Sequence, residues 1–181
     1  MTNMKKTIVA IVALMASAGG GYVAGMQSAP GLSTLNPKAL KYLLPQDIKW
    51  VPAEGLAGVE TSVLAGDPAK PGLYVVLNRF HPGSFSRPHY HPNDRHVMVI
   101  SGTWWVGTGA KYDPERTTVP LKPGTFVTHA RREVHYDGAR TGSDEAVVMI
   151  FGEGPGSRQD CDAETGAGPC EDARKAAAAI R

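Results

Sequence analysis

His89 and His91 stand two residues apart in the stretch GSFSRPHYHPNDRHVMVISG (83–102), and this spacing can do chemistry. In extended backbone, side chains at i and i+2 leave the strand on the same side, so both imidazoles would face one centre. Neutral imidazole is the commonest protein ligand for a transition metal, and two on one strand face supply half a coordination sphere. Taken alone, the pair also reads as surface histidines in a Pro-rich loop. It is not alone. A second segment, PGTFVTHARREVHY (123–136), repeats the order of turn, strand and histidine and brings His135 after a short charged bend.

Together the two segments resemble the paired motifs of the cupin superfamily. The first motif is carried here by Gly83, His89, His91 and Gly102, and the second by Gly124 and His135. The resemblance covers the middle and C-terminal half of the chain. It implies a jelly-roll barrel with His89, His91 and His135 as ligands of a divalent transition metal. Imidazole ligation suits Fe, Mn, Ni, Cu or Zn, so the metal's identity stays open.

The chain departs from the cupin pattern at the acidic ligand position of the first motif, which holds Arg95. Guanidinium stays protonated and has no acceptor lone pair, so it cannot ligate a cation. In the second motif the Pro-x-Gly bend reads Ala130-Arg131-Arg132, and Ala139 fills the trailing Asn position. Three arrangements follow for the centre: three histidines with open positions, three histidines plus a substitute ligand, or a metal-free barrel. An inward Arg95 would hold a carboxylate or enolate in bidentate fashion and bind substrate, whereas an outward one would pair with Asp94 or another carboxylate. His129, ending the strand of the second motif, is the candidate for a fourth ligand or general base. His96 is out of phase with Arg95 along a strand and should point away. His81, beside Pro82, reads as a loop residue.

Short strands must position these groups. Candidates are 48–51, 59–65, 73–80, 96–101, 103–107, 117–121, 124–129 and 146–151, separated by turn signals such as Pro71-Gly72, Pro82-Gly83 and Pro123-Gly124. Strands at such spacing imply an antiparallel sandwich or barrel, and the cupin resemblance chooses the barrel. The fold class expected is therefore all-β, a cupin-type antiparallel jelly roll over 48–155. Trp104 and Trp105 should divide, one facing in and one out.

Residues 1–18 read as a signal peptide, with Lys5 and Lys6 before an apolar run and Ala16-Ser17-Ala18 as cleavage site. An uncleaved anchor is the alternative, but the run is short for a hydrocarbon core of ~30 Å. The expected location is periplasmic or secreted, with no stable membrane span after processing. Residues 19–47 form a linker with a short helix over 32–44 that ends at Pro45. Residues 156–181 form a polar tail, in which Cys161 and Cys170, the only cysteines, would pair as a disulfide in an oxidising compartment.

A length of 181 residues allows one domain with tails, and the mature part needs no metal merely to fold. A net charge of +2, with no basic stripe interleaved with aromatics, gives no footprint for nucleic acid. The partner expected is a small molecule, and a homodimer is left open. Two functions follow. One is an exported metal-dependent oxygenase or related enzyme acting on a small anionic organic molecule. The other is a non-catalytic cupin that binds a ligand or metal as sensor or store.

Overall fold

The computed structural model describes residues 31–161 and Cys170. The expected signal peptide and most of the expected tail lie outside the described residues. No helix among the described residues is long and apolar enough to cross a membrane.

The chain divides into two compact units, residues 1–42 and 43–181. In the first, the helix expected over 32–44 does not form; a single 3-10 turn, Leu32–Thr34, is followed by a turn at Asn36, whose carbonyl accepts from the N–H groups of Ala39 and Leu40. Pro37 supplies the reason, because it disfavours helical backbone at Asn36, and the Asn36 side chain then accepts the N–H of Lys38 at 3.0 Å. Leu35, Leu40 and Leu43 are exposed, so no apolar face is available to stabilise a helix there.

The described residues of the second unit form eleven strands in two antiparallel sheets. The first sheet comprises β1 (Val51–Pro52), β2 (Val59–Ala65), β3 (Gly72–Phe80), β5 (Arg95–Ser101), β8 (Phe126–His129) and β10 (Ala146–Gly154), in the order β1-β2-β3-β10-β5-β8. The second holds β4 (His89–Tyr90), β6 (Trp104–Thr108), β7 (Val119–Leu121), β9 (His135–Gly138) and β11 (Gln159–Asp160), in the order β11-β4-β9-β6-β7. Strand alternation sets what faces inward. Val97 and Val99 of β5, Val148 and Ile150 of β10, and Tyr74 and Val76 of β3 are buried against Trp104 of β6. Arg95 shares the phase of Val97 and Val99 and so faces the same interior.

Trp104 is 1% exposed in this core, while Trp105 points the other way and carries the Arg140 guanidinium 3.8 Å above its ring. The Gly102 of the first motif closes the β5–β6 turn at φ 73°, a left-handed conformation in which a Cβ would run into the Glu145 carbonyl. The all-β jelly roll expected from the sequence is the fold observed.

Candidate metal centre

The barrel brings His89, His91 and His135 to one place from β4, the residue that follows it, and β9. His89 and His135 are directly paired across the two strands. One ring nitrogen from each of the three lies within 4.8 Å of the others, and all three residues are buried. Their ring centroids are 4.4 to 5.4 Å apart.

Hydrogen bonds fix which nitrogen each ring presents. Nδ1 of His89 meets the Arg87 carbonyl at 2.7 Å, that of His91 the Ser157 carbonyl at 2.8 Å, and that of His135 the Glu133 carbonyl at 3.1 Å. A carbonyl only accepts, so each Nδ1 donates its proton and each Nε2 keeps a lone pair. The Nε2 atoms of His91 and His135 are buried with no partner among the described residues. Backbone anchoring of one nitrogen with the other left as a lone pair is the arrangement that holds metal-ligating histidines. These residues fit a divalent transition metal.

Burial lowers the pKa of all three rings, with help from the neighbouring positive groups. His89 is pushed well below the ordinary imidazole value, with desolvation first and the charges of His135 and Arg95 following. His91 is lowered to about 2 by desolvation and Arg95, and His135 to about 3 by the same two causes. A neutral ring is the form that ligates a metal.

Arg95 faces inward, as substrate recognition would require. Its Nε donates to Nδ1 of His129 at 3.3 Å, its cross-strand neighbour in the β5–β8 ladder. Accepting that bond uses the Nδ1 lone pair of His129 and leaves its proton on Nε2. The Asp94 carboxylate does not hold Arg95; it accepts the Arg131 N–H at 2.6 Å. His96 points outward, stacked on Phe126 with centroids 5.6 Å apart. His81 pairs with Glu60 and Glu145 away from the centre.

Two residues of the site were not singled out from the sequence. Asp137 is 3% exposed on β9, and its carboxylate accepts from Ser86 Oγ at 2.9 Å. It shares a face with His135, and an acidic i+2 neighbour would have marked it had β9 been recognised as a strand. Burial pushes its carboxyl pKa up, against the pull of Arg95. With His129 and His135 it forms a second group whose ligand atoms lie within 4.8 Å. The other residue is Arg158, which lies beyond β10 in the segment expected to be tail. No periodicity announces it.

His89, His91, Arg95, Asp137 and Arg158 line an interior cavity of about 100 Å³ with Trp104 at its wall. Leu56 and Arg158 also line a neighbouring cleft of about 320 Å³, together with Arg87 and Tyr112. A larger cleft of about 610 Å³, by His96, Arg131 and Phe151, is lined by none of the three inward histidines.

Residues 39–155 match the family described as the ChrR cupin-like domain. This chain belongs to that cupin family. The barrel is similar in structure to the polyketide cyclase RemF from Streptomyces resistomycificus, at 15% identity and a TM-score of 0.57, over 74% of this chain and 97% of that one. It is also similar to a cupin-2 domain from Rhodospirillum rubrum, at 17% identity and a TM-score of 0.51, over 68% and 80% of the two chains. At such identities the likeness concerns the fold alone. No curated protein matches the chain. Within the matched range, Arg95 lies on β5 opposite His129 of β8.

Cys161 and Cys170 are joined in a disulfide, both buried, with Cα atoms 5.2 Å apart. The bond fits an oxidising compartment. Barrel structure continues past residue 155, because Gln159–Asp160 pairs with His89–Tyr90 as β11.

Proposed function

We propose that this cupin is an exported protein that binds one divalent transition metal through His89, His91 and His135 and uses it on a small anionic molecule held by Arg95. The observation that carries the reading is the set of three Nδ1–H groups donated to backbone carbonyls, which turns three lone pairs inward. Three nitrogens leave coordination positions for a ligand, and the metal there would supply a Lewis acid or, if redox-active, a site for dioxygen.

The chain's own residues support the choice of an anion. Arg95 and Arg158 face one cavity, in which Asp137 is the single acidic residue among the described lining residues. Arg158 is in part neutralised by Asp160, to which its Nε donates at 2.6 Å. Among the described residues Arg95 has no carboxylate hydrogen bond, which leaves its two terminal nitrogens for a ligand acid group. The cavity's volume is about three times water's share of liquid volume, ~30 Å³, so the part of the ligand that enters is small. The cleft shared through Leu56 and Arg158 gives the rest of the molecule a place.

Export rests on residues 1–18 and on the disulfide. N-terminal mass mapping of protein from the cell envelope, showing a start near Gly19, would support it; an intact Met1 there would indicate an anchor.

The test of function is metal analysis of protein purified without chelator, followed by oxygen-uptake assays on small carboxylates and enolisable acids. One metal per chain with ligand-dependent oxygen consumption supports an oxygenase. A bound metal with anion binding and no turnover favours the sensor or store, which the small cavity also suits. Protein that takes up no transition metal overturns the reading.

A further inference from the structure

We propose that His129, held by Arg95 as the Nε2–H tautomer, is the hydrogen-bond donor of this centre, giving its Nε2–H to an oxygen or anion bound on the metal's open side. The inference rests on the metal reading given above and adds a specificity residue to it.

Four imidazoles crowd the interior, and their hydrogen bonds divide them into two kinds. His89, His91 and His135 each donate Nδ1–H to a carbonyl and present a lone pair at Nε2. His129 is the reverse, because the guanidinium of Arg95 can only donate, and its Nε–H ends on Nδ1 of His129. The proton of His129 must then lie on Nε2. That nitrogen is buried with no partner among the described residues, like those of His91 and His135, and His129 is only 5% exposed.

A metal satisfies a lone pair but not an N–H. One cation therefore accounts for the Nε2 atoms of His91 and His135 and leaves that of His129 needing an acceptor. His129 is close enough to the centre for the acceptor to be bound there. Its ring centroid is 3.7 Å from that of His135, and one of its ring nitrogens lies within 4.8 Å of a ring nitrogen of His135. Asp137 is near, but its Oδ1 takes the Ser86 hydroxyl, and no hydrogen bond joins it to His129. Trp104, with its ring centroid 5.7 Å away, offers an indole donor and no acceptor.

The ligand's chemistry follows. A ligand atom that bound the metal and accepted from His129 would need a second lone pair, as carboxylate, enolate and hydroxide oxygens have, whereas an amine would spend its only lone pair on the metal. Arg95 couples the two ends of the site, since the guanidinium that would take the ligand's acid group also sets the His129 tautomer. In this role His129 touches the ligand and not the metal.

The test has a metal-free arm and a metal-bound arm. In metal-free protein, long-range ¹H–¹⁵N spectra should show His129 as the Nε2–H tautomer and His89, His91 and His135 as Nδ1–H; His129 found as Nδ1–H overturns the proposal. In cobalt(II)-loaded protein, His129→Leu should keep one cobalt per chain and bind azide about tenfold to a hundredfold more weakly, as loss of one hydrogen bond to an anion does. His129→Gln, whose amide N–H reaches a similar position, should recover part of the affinity and guards against a folding defect in the Leu variant. Loss of cobalt in both variants would make His129 a ligand and overturn the proposal, as would unchanged azide affinity in both. Wild-type protein that takes up no cobalt overturns the metal reading itself, a result distinct from failure of the variants alone.

Discussion

His91 donates its Nδ1 proton to the carbonyl of Ser157 at 2.8 Å, across 66 residues of sequence. The other two inward histidines are held by carbonyls two residues before them, so His91 alone depends on a distant segment. That segment is tied down at both ends: Gly156 N–H donates to the Pro68 carbonyl at 2.7 Å and Cys161 N–H to the Pro88 carbonyl at 2.8 Å. The disulfide follows at once.

Removing the disulfide should therefore act on the metal as well as on stability. The Cys161→Ser, Cys170→Ser double variant should lose about 2–3 kcal/mol in denaturant unfolding, the chain-entropy value for a loop this short. Metal affinity should fall about tenfold, the low end for loss of an outer support to a ligand. Chelator competition reads it. Lost stability with unchanged metal affinity would detach the strap from the centre.

His91→Ala should abolish metal binding while the barrel stays folded, since the apolar core of β3, β5, β6 and β10 does not include the imidazole. Adding His135→Ala should change metal content little, because a site short of one ligand in three is already disabled and the two effects do not add. Elemental analysis with circular dichroism checks both. Full metal content in either single variant would remove that residue from the ligand set.

Strand alternation made much of this legible from sequence. Arg95, Val97 and Val99 read as one face and His96 as the other, and the structure follows that phase because Arg95–Val99 pair in regular register with β10, and Arg95–Met98 with β8, before the register shifts at Ile100. β9 was hidden for the opposite reason. Its inward residues are His135 and Asp137, so the apolar alternation that announces a strand is replaced by the polar groups of the site. The two-residue strands β4 and β11 are too short to show a period, which hides Arg158 beside β11. Leucine spacing over 32–44 points to a helix, but Pro37 breaks that run at its centre.

Acid should destabilise the metal-free protein. The folded-state pKa of His91 is about 2 and that of His135 about 3, with those of His89 and His129 also pushed down, first by burial and then by neighbouring positive charge. Unfolded, each ring returns to about 6.5. Below that pH the unfolded chain gains protons that the folded chain refuses. The stability these histidines contribute is thus whole above about pH 6.5 and is lost as pH falls toward 3, by up to about 1.4 kcal/mol per unit for each ring. Asp137 opposes this, since its raised pKa favours the folded state at low pH. Arg95 keeps its charge over this range, because a guanidinium does not deprotonate in proteins. Denaturant midpoints at pH 7.5, 6.5, 5.5 and 4.5 should decline below pH 6.5; a flat series would show that the rings titrate normally in the fold.

The last prediction concerns Arg95, where the chain parts from the cupin pattern. Its Nε is spent on His129, and its terminal nitrogens are the fork offered to a ligand. Arg95→Lys keeps the charge but loses the planar fork, so affinity for a small carboxylate such as acetate should fall by about tenfold or more. The same change weakens the hold on His129 without touching the carbonyl bonds of the three inward histidines, so metal content should stay near one per chain. Arg95→Glu places a carboxylate where a guanidinium stood, in the position the cupin motif reserves for an acidic ligand. It should tighten metal binding and abolish acetate binding, since a negative oxygen donor attracts the cation and repels the anion. A surface arginine would do neither, and its replacement would cost within about 0.5 kcal/mol. Calorimetric titration of metal and of acetate into both variants separates the cases, and no response in either measurement would end the role of Arg95 as an anion clamp.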